Sequence, residues 1–266
     1  MEGANQGLGG RDREGNGVKV FVINLDSQPK RMKFMRDQLD KYGVEFERVS
    51  AIVGKDLTDQ VVKKDGSAFW QWCCGGKVMS RNVFGCALSH MGIWSRVVRE
   101  RIPCACILED DVTILPEISQ QLSKIEKLNS ISENVVYSIA HGHNDGIKTA
   151  DGQEGFFRFT KGTNMCGYVV NPTSARHLLL YNTPIVFPCD TWGQWSKWGL
   201  SCYKVMPRAV AHWNRNIFGS MNDGNKVDGH SFCSRIGYIC KRMIGKPLGI
   251  IYCVIRGWQL QRKANG

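Results

Sequence analysis

The chain has 266 residues, 42% of them hydrophobic and 22% charged, which is enough to build one large core or two small ones and excludes a disordered or fibrous chain. Thirty-five Lys and Arg against 24 Asp and Glu leave a net charge of +11, favouring an anionic partner such as a nucleotide diphosphate, a phospholipid surface or a nucleic acid. The 11 cysteines are odd in number, and several lie inside apolar runs (Cys104, Cys106, Cys240, Cys253), so packed thiols in a reducing compartment are expected rather than a disulfide framework.

Residues 1–17 are polar and Gly-rich with no apolar stretch of signal-peptide type, and are expected to be a disordered arm or expression remnant on a cytoplasmic protein. Residues 18–25 form an apolar run of buried-strand character, and Asp26, Ser27 and Pro29 then supply the chemistry of a helix start. Met32, Met35, Leu39 and Tyr42 follow at helical spacing, with Gly43 as a C-terminal cap. Residues 46–52 supply a second strand. Residues 62–81 mix Lys, Gly, Trp and Cys without a period and read as a long loop. A helix is predicted over 84–99, a short strand over 104–108 and an amphipathic helix over 116–128. Strands are predicted at 135–140, 156–159 and 166–170, a helix over 172–180 opened by Pro172, and an extended segment over 203–210. His141 and His143 lie in a Gly-rich connection whose composition fits an exposed loop better than a zinc site.

This alternation predicts an α/β fold with a mainly parallel sheet flanked by helices, its ligands sitting beyond the carboxyl ends of the strands. Residues 231–266 form a separate basic segment in which Arg235, Lys241, Arg242, Lys246, Arg256, Arg262 and Lys263 alternate with apolar residues. The apolar run at 248–255 falls well short of the roughly 20 residues that span a bilayer. Two readings stay open: an amphipathic helix lying on an anionic membrane surface through residues 235–263, or a helix packed on the domain with solvated charges.

The densest chemical signal is Glu109-Asp110-Asp111, directly after the apolar run Cys104-Ala105-Cys106-Ile107-Leu108. Residues two apart on a strand share a face, so Glu109 and Asp111 are expected to point the same way. Carboxylates suit Mg2+ or Mn2+, which bind through one or two such groups with substrate phosphates completing the shell. Adjacent acids repel one another unless a cation offsets them. The tripeptide alone also fits an acidic turn before Pro116.

Its flanks add a pattern. Val20-Phe21-Val22-Ile23-Asn24-Leu25-Asp26 with Pro29 and Arg31, then Phe84-Gly85-Cys86-Ala87-Leu88-Ser89-His90-Met91-Gly92-Ile93-Trp94, then Ile107 to Val112, and then Gly162-Thr163 through Gly167-Tyr168-Val169-Val170 with Ala175 to Leu179, stand in the order found in glycosyltransferase family 25. The chain resembles that family, which includes lipooligosaccharide glycosyltransferases and collagen galactosyltransferases. The resemblance implies a GT-A-type (Rossmann-like) domain over 18–230, a UDP-sugar donor, and Mn2+ or Mg2+ as cofactor. It implies galactose, or another hexose, as the transferred sugar, and a glycan or lipid-linked glycan as acceptor. No nucleic-acid partner is expected.

On that resemblance Asp111 is the first choice of metal ligand, with Glu109 or Asp110 toward the ribose or a metal-bound water, in an order left open. Asn24, Leu25 and Asp26 are placed at the uracil and ribose, and Arg31 at the diphosphate, the plain alternative for Arg31 being an exposed helix charge. Ser89 and His90 are donor-pocket candidates, although an isolated His on an apolar helix is commonly a core residue. Inverting transfer requires a base for the acceptor hydroxyl. Asp190 is the candidate, against an ordinary N-cap role. Trp192, Trp195 and Trp198 read either as an acceptor platform or as a buried helix stripe, and His212 as a further metal ligand. Rival readings of the acids and bases are a metal-dependent phosphohydrolase or nucleotidyltransferase, and a non-enzymatic nucleic-acid or lipid-binding protein.

Overall fold

The fold is that of a computed structural model, in which residues 17–75, 78–128, 133–140, 147–149, 154–160, 166–212 and 246–264 are described. Strand β1 (Lys19–Asn24) is apolar on both faces because both are covered. Phe21 and Ile23 enter one core with Phe84, Ile93 and Trp94, while Val20 and Val22 enter a second with Met32, Met35 and Leu39. Those last three residues are the buried side of α1 (Pro29–Lys41), whose first position is held by Pro29. Gly43, just beyond the helix, has φ of +63°, the left-handed conformation that ends helices without a Cβ penalty.

After β2 (Glu47–Ser50) and a 3-10 turn at Gly54–Asp56 come α2 (Asp59–Asp65) and α3 (Ala68–Gly75). These two helices replace the loop expected over 62–81. Thr58 caps α2, its side chain accepting from the Val61 N–H. The sequence of α3 is apolar almost all round and so shows no helical stripe, because it is packed against α8 (Lys246–Ala264), where Trp70 stacks on Tyr252 at 4.4 Å. Helix α4 (Arg81–Arg99) begins three residues before its expected start, at the Ser80 cap.

The remaining described elements are β3 (Ala105–Glu109), β4 (Val112–Ile114), α5 (Ile118–Leu128), β5 (Val135–Ser138), β6 (Ile147–Thr149), β7 (Phe156–Phe159), β8 (Gly167–Val170), α6 (Pro172–Tyr181), α7 (Trp192–Lys197), β9 (Ser201–Val205) and β10 (Val210–His212). The extended segment expected over 203–210 is therefore two strands in different sheets. The main sheet has the order β2-β1-β3-β8-β5-β9-β7-β6, and β10 pairs with β4 alone.

The sheet is mixed. Strands β2, β1 and β3 are parallel neighbours, as are β5 and β9, but β8 is antiparallel to both β3 and β5, and β7 is antiparallel to β9 and β6. The expected mainly parallel sheet is thus confined to blocks, because a buried apolar run carries no mark of its direction. Helices flank the sheet, and none of the described helices is long and apolar enough to cross a membrane. The described cysteines are free thiols, and burial pushes Cys104 up to about 12.

Candidate active site

The three parallel strands end together. Ile23 stands opposite Glu109 and Asn24 opposite Ser50, so the chain leaves β1, β2 and β3 at one edge of the sheet. The continuations of these strands and the inner side of α4 enclose an open cavity of about 540 Å3. Ligand sites in open α/β sheets form at such carboxyl ends.

The wall from α4 is fixed by a close approach. A Cβ on Gly85 would lie 2.7 Å from the Ile52 carbonyl oxygen, and one on Gly54 would lie 2.2 Å from that of Arg81. Only glycine lets loop 51–55 and the helix touch here. Ser89 closes the same contact: its hydroxyl accepts from the Ile52 N–H at 2.8 Å and donates to the Gly85 carbonyl at 2.8 Å. Ser89 is therefore buried and holds the cavity loop in place.

Strand β3 ends at Glu109, and Asp110 and Asp111 form the turn into β4. Strand alternation thus stops short of Asp111, and it is the turn that brings all three acids to the cavity wall. Asp110 is buried, with one oxygen accepting from the Asn24 carboxamide at 2.6 Å and the other 3.2 Å from the Arg31 guanidinium. Its pKa is still raised, because burial outweighs Asn24 and Arg31. Solvent reaches Asp111, yet the protein crowded around it and then the charges of Glu109 and Asp110 push its carboxyl up to about 6. A cation at this turn would relieve that repulsion, and the hard oxygen donors fit Mn2+ or Mg2+.

Glu109 meets His90, whose Nε2 lies 3.3 Å from its carboxylate. The other ring nitrogen, Nδ1, is 2.9 Å from the Tyr168 hydroxyl, which accepts from the Trp94 indole N–H at 2.8 Å. Burial by itself would lower the His90 pKa, but its hydrogen bonds with Cys86 and Glu109 prevail and raise it to about 10. His90 is thus a buried residue and a cavity-lining one at once. Cys86, His90 and Glu109 each offer a ligand atom, all within 4.8 Å of one another, a cluster able to hold a metal ion.

Of the residues singled out from sequence, Leu25, Arg31, Ser89, His90, Glu109, Asp110 and Asp111 share this cavity. Arg31 is buried, which removes the reading of an exposed helix charge. Asn24 and Asp26 line a neighbouring recess with Arg36 and Arg48 instead. Arg48 ties them together, donating to the Asn24 carboxamide oxygen at 2.9 Å and pairing with Asp26, which holds the Asp26 carboxyl below its ordinary value. Asn24 therefore acts on the cavity through Asp110.

Asp190 is half-buried and does not line the cavity. Thr191, not Asp190, occupies the N-cap of α7. The ring of Trp192, two residues after Asp190, lies edge-on to Tyr168 at 5.6 Å, and Tyr168 contacts His90, so this segment lies on the His90 side of the site. Trp192, Trp195 and Trp198 are buried core residues, which overturns the acceptor-platform reading. The backbone of His212 pairs opposite Val112, next in sequence to Asp111. His141, His143 and the Gly162-Thr163 segment lie outside the described residues. Lys55, Asn82 and Cys86, which sequence reasoning missed, also face the cavity. The parallel pairing of β2 with β1 would have implicated the loop that carries Lys55.

An α/β sheet whose strand ends carry an acid-lined cavity defines a class of enzyme-like ligand sites, and the comparisons specify which. The sequence profile of glycosyltransferase family 25 (LPS biosynthesis protein) matches residues 18–192, and the chain belongs to this family. A Drosophila melanogaster "Glycosyltransferase 25 family member" is 30% identical over 124 residues, covering 45% of this chain and 20% of that protein. The Xenopus laevis "Procollagen galactosyltransferase 1-B" is 30% identical over 97 residues (35% and 16%), and the mouse "Inactive glycosyltransferase 25 family member 3" 26% over 125 residues (45% and 21%). The chain thus matches about a fifth of the length of these curated relatives.

Proposed function

We propose that the protein is a metal-dependent inverting glycosyltransferase with a GT-A-type fold, moving galactose or another hexose from a UDP-sugar to a glycan acceptor in lipooligosaccharide, lipopolysaccharide or related surface-glycan synthesis. One observation carries the reading: in a member of family 25, the ends of three parallel strands together with α1 and α4 gather Glu109, Asp110, Asp111, Arg31 and His90 around a single cavity. The name of the Xenopus relative, a procollagen galactosyltransferase, supports galactose as the sugar.

In this reading Asp111 would hold Mn2+ or Mg2+, with His212 as a second ligand, and the site would thereby supply positive charge beside the UDP diphosphate. Arg31 and Lys55 contribute fixed and mobile positive charge on the diphosphate side. Leu25 and loop 51–55 form the nucleoside wall, with Ser89 fixing that loop against α4. Asn24 holds Asp110, Arg48 holds Asn24 and Asp26, and the acid turn is thereby preorganised before the donor arrives. Glu109 or Asp110 is directed to the ribose or a metal-bound water. Asp190 is assigned as the base that takes the acceptor proton, approaching from the His90 side. The basic helix α8 would hold the enzyme peripherally on the cytoplasmic, anionic face of a membrane that carries lipid-linked acceptors.

Thermal denaturation with a panel of UDP-sugars, with and without Mn2+, tests the reading. A ligand at 100 times its Kd stabilises the folded state by about 2.7 kcal/mol. UDP-galactose with Mn2+ is expected to raise Tm, and Asp111→Asn to remove the metal-dependent part. No shift with any nucleotide sugar would end the proposal. Release of sugar or phosphate without transfer to an acceptor would favour a phosphohydrolase.

A further inference from the structure

We propose that Cys86, His90 and Glu109 form a binding site for a thiophilic divalent cation of the zinc type, distinct from the hard-cation position at Asp111. The three residues come from two elements. Cys86 and His90 are four apart on α4 and so share one helix face, and Glu109 is the last residue of β3. Their ligand atoms already lie within 4.8 Å of one another. Zinc binds thiolate at about 2.3 Å, imidazole at about 2.0–2.1 Å and carboxylate at about 2.0–2.2 Å, which in a tetrahedron puts ligand atoms roughly 3.5 Å apart. Side-chain rotation of about an ångström closes that gap, on the scale of those bond lengths.

The ligand chemistry selects the metal. A thiolate and an imidazole together favour zinc over Mg2+ or Mn2+, which prefer all-oxygen shells. The imidazole is also held in the manner of a ligand. Tyr168 contacts its Nδ1 at 2.9 Å and is itself anchored by Trp94, which leaves Nε2 directed at the Glu109 carboxylate. Cys86 is exposed and Glu109 half-exposed, so a fourth coordination position opens toward the cavity for water or an anion.

Zinc takes thiolate and neutral imidazole, so binding releases to solvent whatever protons these two ligand atoms carry, with no change of oxidation state. It also takes Glu109 from the acid triplet. Zinc is therefore expected to inhibit Mn2+-supported sugar transfer, a consequence that rests on the function proposed above.

The direct test does not need that function. Metal-free full-length protein is titrated with Co2+, whose bond to a thiolate gives a near-ultraviolet charge-transfer band, and then with Zn2+, which should displace it. Wild type is expected to develop the band at one equivalent, Cys86→Ser to lack it, and Asp111→Asn to keep it. Tyr168→Phe should retain the band with about 10–100-fold weaker binding, the usual effect of removing a ligand's outer partner. Circular dichroism of the metal-free variants confirms that each is folded, and X-ray absorption of wild-type zinc protein reads the shell without any variant. One sulfur at about 2.3 Å supports the site. An all-oxygen and nitrogen shell overturns it, as does a band that survives in Cys86→Ser, which would put cobalt on other thiols such as Cys74 and Cys253, whose Sγ atoms lie 4.0 Å apart. If sugar transfer is never observed, the proposed function falls and the cobalt spectrum still decides the zinc site.

Discussion

At Asp111 the fold holds a carboxyl against its own preference. Its pKa of about 6 lies above the roughly 3.9 of an unfolded Asp, so the folded protein keeps the proton to higher pH. The stability this group contributes is fully present below about pH 4 and is lost as pH rises through about 6. Metal-free protein is therefore expected to lose Tm across this window, Asp111→Asn to flatten the loss, and Mn2+ to reverse it above pH 6, all read by thermal melts at stepped pH. A wild-type profile identical to that of Asp111→Asn would refute the role of this carboxyl. Asp110 behaves differently, because it is committed to Asn24 and Arg31 inside the protein. Asp110→Ala strips a buried guanidinium of its ion-pair partner and should cost about 3–5 kcal/mol in urea unfolding, far more than the exposed Asp111→Ala. The acids were legible in the sequence as a cluster, but their division of labour was not. It depends on Asn24 and Arg31 arriving from β1 and α1, 86 and 79 residues away in the chain.

At the scale of elements, the cavity depends on α4 lying directly on loop 51–55. Gly85→Ala forces a Cβ to within 2.7 Å of the Ile52 carbonyl, where backbone rather than a flexible side chain must yield. Overpacking of this kind costs about 1–3 kcal/mol. The displaced loop should weaken donor binding, measured by calorimetry, while Gly92→Ala on the same helix, with open space around it, leaves binding unchanged. Equal donor affinity in Gly85→Ala would refute the coupling. Elements with a clear period or a cap were readable: β1, α1, α4, β3, β7 and α6 all lie close to where the sequence places them. Helices α2 and α3 were not, since α2 is short with no buried residue and α3 is apolar almost all round and so shows no stripe. Strand direction was also hidden. Gly167-Tyr168-Val169-Val170 reads as a buried strand either way, and only its pairing with Ala105 to Leu108 shows that it runs against β3.

At the scale of the whole molecule, the two sequence readings of the C-terminal helix prove compatible. The inner side of α8 is packed: a Cβ on Gly249 would lie 2.5 Å from the Cys73 carbonyl oxygen, Tyr252 stacks on Trp70, and the Trp198 indole donates to the Cys253 carbonyl at 2.9 Å. Arg256 donates to the Leu180 and Thr183 carbonyls, both at 2.6 Å, fastening the helix to the end of α6. The outer side is left apolar, with Ile250 and Val254 each 65% exposed beside Ile251 and Ile255. The helix sequence contains Lys246, Arg256, Arg262 and Lys263 and no Asp or Glu. Exposed isoleucines on a helix of purely positive charge match an anionic lipid surface, where each basic residue near the headgroups adds about 1 kcal/mol. The protein is expected to co-sediment with vesicles containing phosphatidylserine and far less with neutral phosphatidylcholine vesicles, and added salt should release part of it. Ile250→Glu with Val254→Glu should abolish the binding without lowering Tm, because neither side chain is packed. If the double variant sediments as well as wild type, the outer face of α8 is not the contact. If wild type ignores anionic vesicles, the helix serves only to brace α3 and α6.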